Sequence, residues 1–108
     1  MNGYLSADDF LTGIVGGEED IELTGIGKVR IRSLEALEIQ QIRAQAADDE
    51  MQMSFLAVLQ GLVEPELSAD HLSAIQRAKP GIIAILTRRI MEISGMGEDF
   101  EKKVGIGS

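Results

Sequence analysis

Between Asp20 and Arg32 the chain reads "DIELTGIGKVRIR", and its apolar period is two. Ile21 and Leu23 alternate with Asp20, Glu22 and Thr24, and Val29 and Ile31 alternate with Arg30 and Arg32. That period sends one set of side chains to one face of a strand and the other set to the opposite face. With Gly25 and Gly27 between the two runs, the stretch reads as a hairpin from about Glu19 to Arg32. A lone two-stranded hairpin is marginal in water, so it needs a helix to lie on or a second copy of itself. After Ser33 the apolar spacing lengthens to that of helices and stays there. The expected class is α+β and mostly helical, a short N-terminal β-hairpin followed by a cluster of about four helices. Nothing in the sequence fixes which helix the hairpin covers.

The same stretch invites a second reading, because Gly25, Gly27 and Lys28 sit together as in a phosphate-binding loop. That loop needs Gly, four residues, Gly-Lys and then Ser or Thr, whose hydroxyl holds magnesium. Here Glu22 stands at the first glycine position and Val29 at the hydroxyl position. A carboxylate repels phosphate and a valine ligates nothing. A phosphate loop also runs directly into a helix, whereas the residues after Lys28 alternate as a strand. The glycines are read as a turn.

Ahead of the hairpin, "LSADDFL" (5 to 11) has the makings of a short helix, with Ser6 as cap and Asp8 and Asp9 at its positive end. "GIVGGEED" (13 to 20) is a connection. Ser33 is read as the N-cap of a helix with Leu34, Leu37, Ile39 and Ile42 as its stripe, running to about Ala47. "ADDE" (47 to 50) breaks that helix and caps the next. "MQMSFLAVLQGLV" (51 to 63) is the most apolar helix, stopped by Glu64-Pro65. Met51, Phe55, Val58, Leu59 and Leu62 share one face, and Met53, Leu56 and Val63 widen it. A helix this apolar lies deep in a core or meets another chain with one side. "LSADHLSAIQRA" (67 to 78) restarts the pattern, with Ser68 as cap and Leu72 and Ile75 inward. Lys79-Pro80-Gly81 is a boundary, since proline disfavours helix before it and suits the first turn after it. "GIIAILTRRIMEISG" (81 to 95) buries Ile82, Ile83, Leu86, Ile90 and Ile93 and stops at Gly95. Residues 98 to 104 suggest one more amphipathic turn. No internal repeat or low-complexity segment appears.

One hundred and eight residues suit a single domain spanning 1–108, with 1–18 and 96–108 expected to be partly flexible. With no Trp, one Tyr and three Phe, the core must be aliphatic. The absence of cysteine removes disulfides and thiolate chemistry and fits a reducing compartment. No basic segment followed by an apolar run opens the chain, and no apolar run reaches the ~18–20 residues of a membrane span. The net charge of -8 is unevenly placed. Residues 1–27 carry six acids and no Lys or Arg, and residues 28–32 carry three bases and no acid. An acidic chain repels nucleic acid at long range.

Catalytic, cofactor and metal residues are expected to be absent. His71, the only histidine, lies in the first turn of a helix beside Asp70, which points elsewhere, so it is read as solvent-facing. The acid runs 18–20 and 48–50 lack the alternating ligands and central glycine of a calcium loop. Ser6, Ser33 and Ser68 are explained as caps, and no nucleophile elbow is present. A helix-turn-helix over 67 to 93 would offer Gly81, Ile82 and Ile83 where base-contacting residues belong. What remains is binding. Lys28, Arg30 and Arg32 line one strand face, as a solvated face that protects an edge or as a docking strip for an acidic partner. Arg88 and Arg89 form a second basic strip. Met51, Phe55 and Leu59 are the candidate apolar contacts, and the five Met residues suit an adaptable surface as well as a core.

In order, the acidic lead, "DIELTGIGKVRIRSLEALEIQQI", "FLAVLQGLVEPELSADHLSAI" and "RRIMEISGMGEDFEKK" resemble the small tail assembly chaperones of long-tailed (siphovirus-type) bacteriophages. In that family a basic strand pair leads into an "L-x-x-x-E" helix, then a helix ending in "L-V-E-P-x-L-S", then a segment like "I-x-x-I-S-G-M". The likeness runs from about Asp20 to Lys103. It implies a non-enzymatic cytoplasmic protein that binds the tape-measure protein, keeps it soluble and helps recruit tail-tube subunits; the marginal hairpin and the wide apolar face add an expected homo-oligomer, with the hairpin edge or the Met51–Val63 helix at the contact. The likeness also implies absence from the mature virion; members of the family are often made in two lengths by a programmed ribosomal frameshift, with which Lys102-Lys103 is compatible. The alternatives are a small oligomeric adaptor or DNA-associated regulator, and a structural head–tail joining component.

Overall fold

The structure, a computed structural model, describes residues 3–96. Among them are five α-helices and a three-stranded antiparallel sheet, so the chain is α+β and mostly helical. α1 spans Ala7–Gly13, and the hairpin follows as β1 (Glu18–Leu23) and β2 (Gly27–Arg32). Then come α2 (Ala36–Ala46), α3 (Glu50–Gly61), β3 (Leu62–Glu64), a 3-10 turn (Ala69–His71), α4 (Leu72–Gln76) and α5 (Pro80–Ile93). The expected helical turn over 98 to 104 lies outside the described residues.

The hairpin forms as its alternation requires. The turn sits at Gly25 and Gly27, whose φ of 80° and 140° are open to glycine and strained for other residues. The Ile26 N–H donates to the Leu23 carbonyl at 2.9 Å. Its marginal stability is relieved from within the chain by a third strand. The apolar run 51 to 63 is not one helix. It stops at Gly61, and Leu62–Glu64 pairs antiparallel with β2, with Ile31 opposite Leu62 and Arg30 opposite Glu64. Periodicity alone cannot separate a short strand from the last turn of a buried helix. Two physical terms decide it: β2 has an open edge to satisfy, and Gly61 weakens the helix where it would continue.

Gly61 also sets the spacing between α3 and α5. A Cβ there would stand 2.5 Å from Cδ1 of Ile90. Four side chains with almost no exposed surface mark the centre of the core: Ile31 of β2, Ile42 of α2, Val58 of α3 and Ile90 of α5. The inner face of the hairpin lies toward α5, which settles the helix left open by sequence. Arg89 of α5 reaches Glu19 of β1, with Nε donating to Oε2 at 2.7 Å and Nη2 donating to Oε1. Ser94, at the end of α5, accepts from the Leu34 N–H at 2.8 Å and donates to the Ile90 carbonyl at 2.6 Å.

Ser33 is not the cap of α2. Its N–H donates to the Gly17 carbonyl at 2.9 Å, which binds the start of β1 to the end of β2. Leu34 then enters the core, and the helix begins at Ala36 behind Glu35. The Glu38 carboxylate takes the Glu35 N–H at 2.8 Å, replacing a serine cap. The buried face of α2 is therefore Ile42 and Ala46, with Ile39 half-buried and Leu37 exposed. The expected caps Ser6 and Asp49 do form, accepting from Asp9 and Gln52 N–H groups at 3.1 and 3.0 Å. Segment 67 to 78 is a 3-10 turn and a five-residue helix rather than one continuous helix.

Candidate functional site

The outward face of the hairpin carries the basic strip, and the register neutralises it. Glu18 stands opposite Arg32, Asp20 opposite Arg30 and Glu22 opposite Lys28. Opposite charges on facing strands stabilise the pair and cancel its field. Arg30 Nε donates to Asp20 Oδ1 at 2.7 Å, and this bond draws the Asp20 carboxyl below its ordinary pKa. Arg32 turns to α2 and grips Glu38 with two bonds of 2.9 and 2.6 Å, so the Glu38 carboxyl is also drawn down. Arg30 and Arg32 are thus ion-paired, and Lys28 stands opposite Glu22 in the register without a salt bridge among the described residues.

Arg88 and Arg89 do not act together. Arg88 is exposed, while Arg89 is spent on Glu19 and on Glu92 at 3.1 Å. That contact lowers the pKa of Glu19. Met51, Phe55 and Leu59 also part company. Phe55 is a core side chain, Leu59 is half-buried against that core, and Met51 is half exposed at the start of α3. Four consecutive α3 residues, Phe55 to Val58, are buried, so this helix is central and its width serves the core. His71 is exposed, as expected, and closes its own turn by accepting the Ser68 N–H on Nδ1 at 2.9 Å. Among the described residues no three His, Cys, Asp or Glu side chains gather as metal ligands, and no helix is long and apolar enough to cross a membrane.

Three concave surfaces and one exposed stripe remain; one of them, a notch of about 360 Å³ where the α1–β1 link meets Arg32, Ser33, Glu35 and Glu38, is lined mostly by charged groups and backbone. The larger cleft, of about 600 Å³, lies where β3 leaves α3. Leu59, Leu62, Val63 and Leu67 form its apolar wall, and Glu18, Glu64 and Glu66 lie around it. Arg32, the one basic residue there, is already held by Glu38. The second, of about 350 Å³, lies between α2, α3 and the end of α5, against Ile39, Ile42, Met53, Met91 and Met96.

The chain matches no known family, curated protein or solved structure to which it was compared.

The stripe is on α1. Ala7, Phe10, Leu11 and Ile14 recur at i, i+3, i+4 and i+7, the spacing of one apolar helix face. Yet no side chain of α1 is buried, and Phe10, Leu11 and Ile14 are each more than half exposed. The spacing was visible in the sequence and pointed only to a short helix; it did not say that the stripe would be left outside the fold. The wall of the larger cleft was hidden for another reason, because Leu62 and Val63 read as helix.

Proposed function

We propose that the protein is a non-enzymatic tail assembly chaperone that holds an aggregation-prone helical client, the tape-measure protein, in its larger cleft. The resemblance of pattern from Asp20 to Lys103 supports the family. The cleft is the observation that carries the mode of binding. An apolar wall set among carboxylates suits an amphipathic helix whose apolar stripe is flanked by Lys or Arg. The stripe covers Leu59, Leu62, Val63 and Leu67, and the flanking cations meet Glu18, Glu64 and Glu66. One small cleft gives modest affinity, so a long client is held by several copies acting together. On this reading the protein works as a homo-oligomer in the host cytoplasm, helps bring tail-tube subunits to the client, and is absent from the finished virion. The ion pairs of Arg30 and Arg32, and the acid opposite Lys28, favour this over a DNA-associated regulator, because they break up the basic strip that phosphates would need.

Co-expression with the tape-measure protein of the same genome tests the reading. The client should move from the pellet to the soluble fraction and carry many copies of this chain. Glu66→Lys, exposed and outside the sheet, should leave the fold intact and lose most of the captured client. A client that stays insoluble and unbound with the unaltered protein contradicts the proposal.

A further inference from the structure

The α1 stripe is a second, independent feature, and the chain contains a surface that fits it. An apolar helix face of Ala7, Phe10, Leu11 and Ile14 lies outside the core, flanked by Asp8 and backed by Asp9 and Thr12. A seven-residue helix is far below the length that is stable alone in water, so it draws its stability from a surface it packs on. Within one chain none of its residues lines the Met-rich groove between α2, α3 and the end of α5.

The charges choose among the available surfaces. The outer edge of β1 carries Glu18, Asp20 and Glu22, so two such edges would repel each other and would also repel Asp8 and Asp9. The larger cleft, with Glu18, Glu64 and Glu66, repels them for the same reason. The Met-rich groove differs. Arg43 lies on it with no ion-pair partner among the described residues, and Glu50 is its only acid. Its walls include three thioether side chains, which mould to an incoming helix without a preformed fit.

We infer that α1 of one copy docks its Phe10–Leu11–Ile14 stripe into the Met53–Met91–Met96 groove of a second copy, with Asp8, at the flank of the stripe, toward Arg43 at the rim. The contact is heterologous, since one copy gives a helix and the other a groove. Each copy then keeps a free helix or a free groove, so the contact propagates into a row or closes as a ring. Such an array repeats the client cleft along its length. The inference deepens the self-association in the function proposed above and rests on it for its biological meaning, but its test uses this chain alone.

The test is sedimentation equilibrium of the full chain from about 10 µM to about 300 µM, the range in which a small interface is partly occupied. The unaltered protein should rise above its monomer mass of 11.7 kDa as concentration increases. Phe10→Asp with Leu11→Asp removes the stripe, and Arg43→Glu with Met53→Gln spoils the groove. Each variant should associate at least about tenfold more weakly than the unaltered chain. Mixed in equal amounts, the two should form a one-to-one heterodimer, since the first retains a good groove and the second a good helix. If Met53→Gln fails to fold, Arg43→Glu alone serves as the groove variant. A monomer throughout the range, a stripe variant that associates like the unaltered chain, or a mixture that stays monomeric overturns the inference. None of those results bears on client capture, and failed capture leaves the mass measurements standing.

Discussion

α1 and α5 are both amphipathic helices with clear apolar stripes, and they meet opposite fates. α5 buries Ile83, Leu86 and Ile90, while α1 buries nothing. Length is one cause: fourteen residues give α5 four turns of contact, against seven residues for α1. Attachment is the other. α5 starts on Pro80, is tied to β1 through Arg89 and Glu19, and ends on Ser94, which holds the Leu34 backbone. α1 leads into the fold through Gly16 and Gly17, and the first tie beyond it is the Ser33 N–H on the Gly17 carbonyl. A stripe of apolar side chains states that a face is to be covered. What covers it depends on which other elements the chain brings within reach.

Substitutions that separate these two helices sharpen the contrast. Ile90→Ala should have the largest effect. The side chain is fully buried and packs on Gly61 of α3, and its loss should cost about 2–5 kcal/mol in chemical denaturation. Gly61→Ala tests the same packing from the α3 side. The new methyl would meet Ile90 Cδ1 at 2.5 Å, so a loss of about 1–3 kcal/mol is expected, and a neutral result would show that the Ile90 side chain or the helix spacing gives way.

Acid should then loosen the clasps that surround the core. Glu38, Glu19 and Asp20 have folded-state pKa values below the ordinary 4.5 and 3.8, each chiefly because an arginine hydrogen-bonds its carboxylate. A group whose pKa is lowered by folding adds stability above its unfolded value and loses it as pH falls through the folded value. Stability should therefore hold near neutrality and decline below about pH 4.5. Glu38→Gln should flatten part of that decline and cost about 1 kcal/mol at pH 7. The smallest effect belongs to α1. Phe10→Ser should leave monomer stability within about 0.5 kcal/mol, and a larger loss would mean that α1 is part of the folded core.

Much of this fold was readable from residue pattern. The two-residue alternation placed β1 and β2, the glycines placed their turn, and Ser6, Asp49 and Pro80 marked helix starts where they occur. The errors share a cause, since each was decided by a tertiary partner that local pattern does not contain. Leu62–Glu64 became a strand because β2 had an open edge beside it. Ser33 lost its capping role because its backbone extends the end of β2, where it bonds Gly17, and the helix starts only behind Glu35, whose N–H Glu38 takes. The basic strip was legible as a row of residues, but its neutralisation required the register that sets Asp20 against Arg30. Of the apolar candidates, Phe55 belongs to the core, Leu59 lines the larger cleft, and the most exposed stripe lay in a segment read only as a short helix.

Amide hydrogen exchange, followed on the same protein dilute and concentrated, tests most directly whether α1 is uncommitted within one chain. In dilute solution the amides of residues 10–15 should exchange at nearly the rate of an unstructured peptide, while those of α5 exchange only through global unfolding. In concentrated solution protection should rise together in residues 10–15 and in α2 around Ile39–Arg43, where the groove lies. Strong protection of α1 in dilute solution would contradict the account, because the stripe would then already be buried within its own chain.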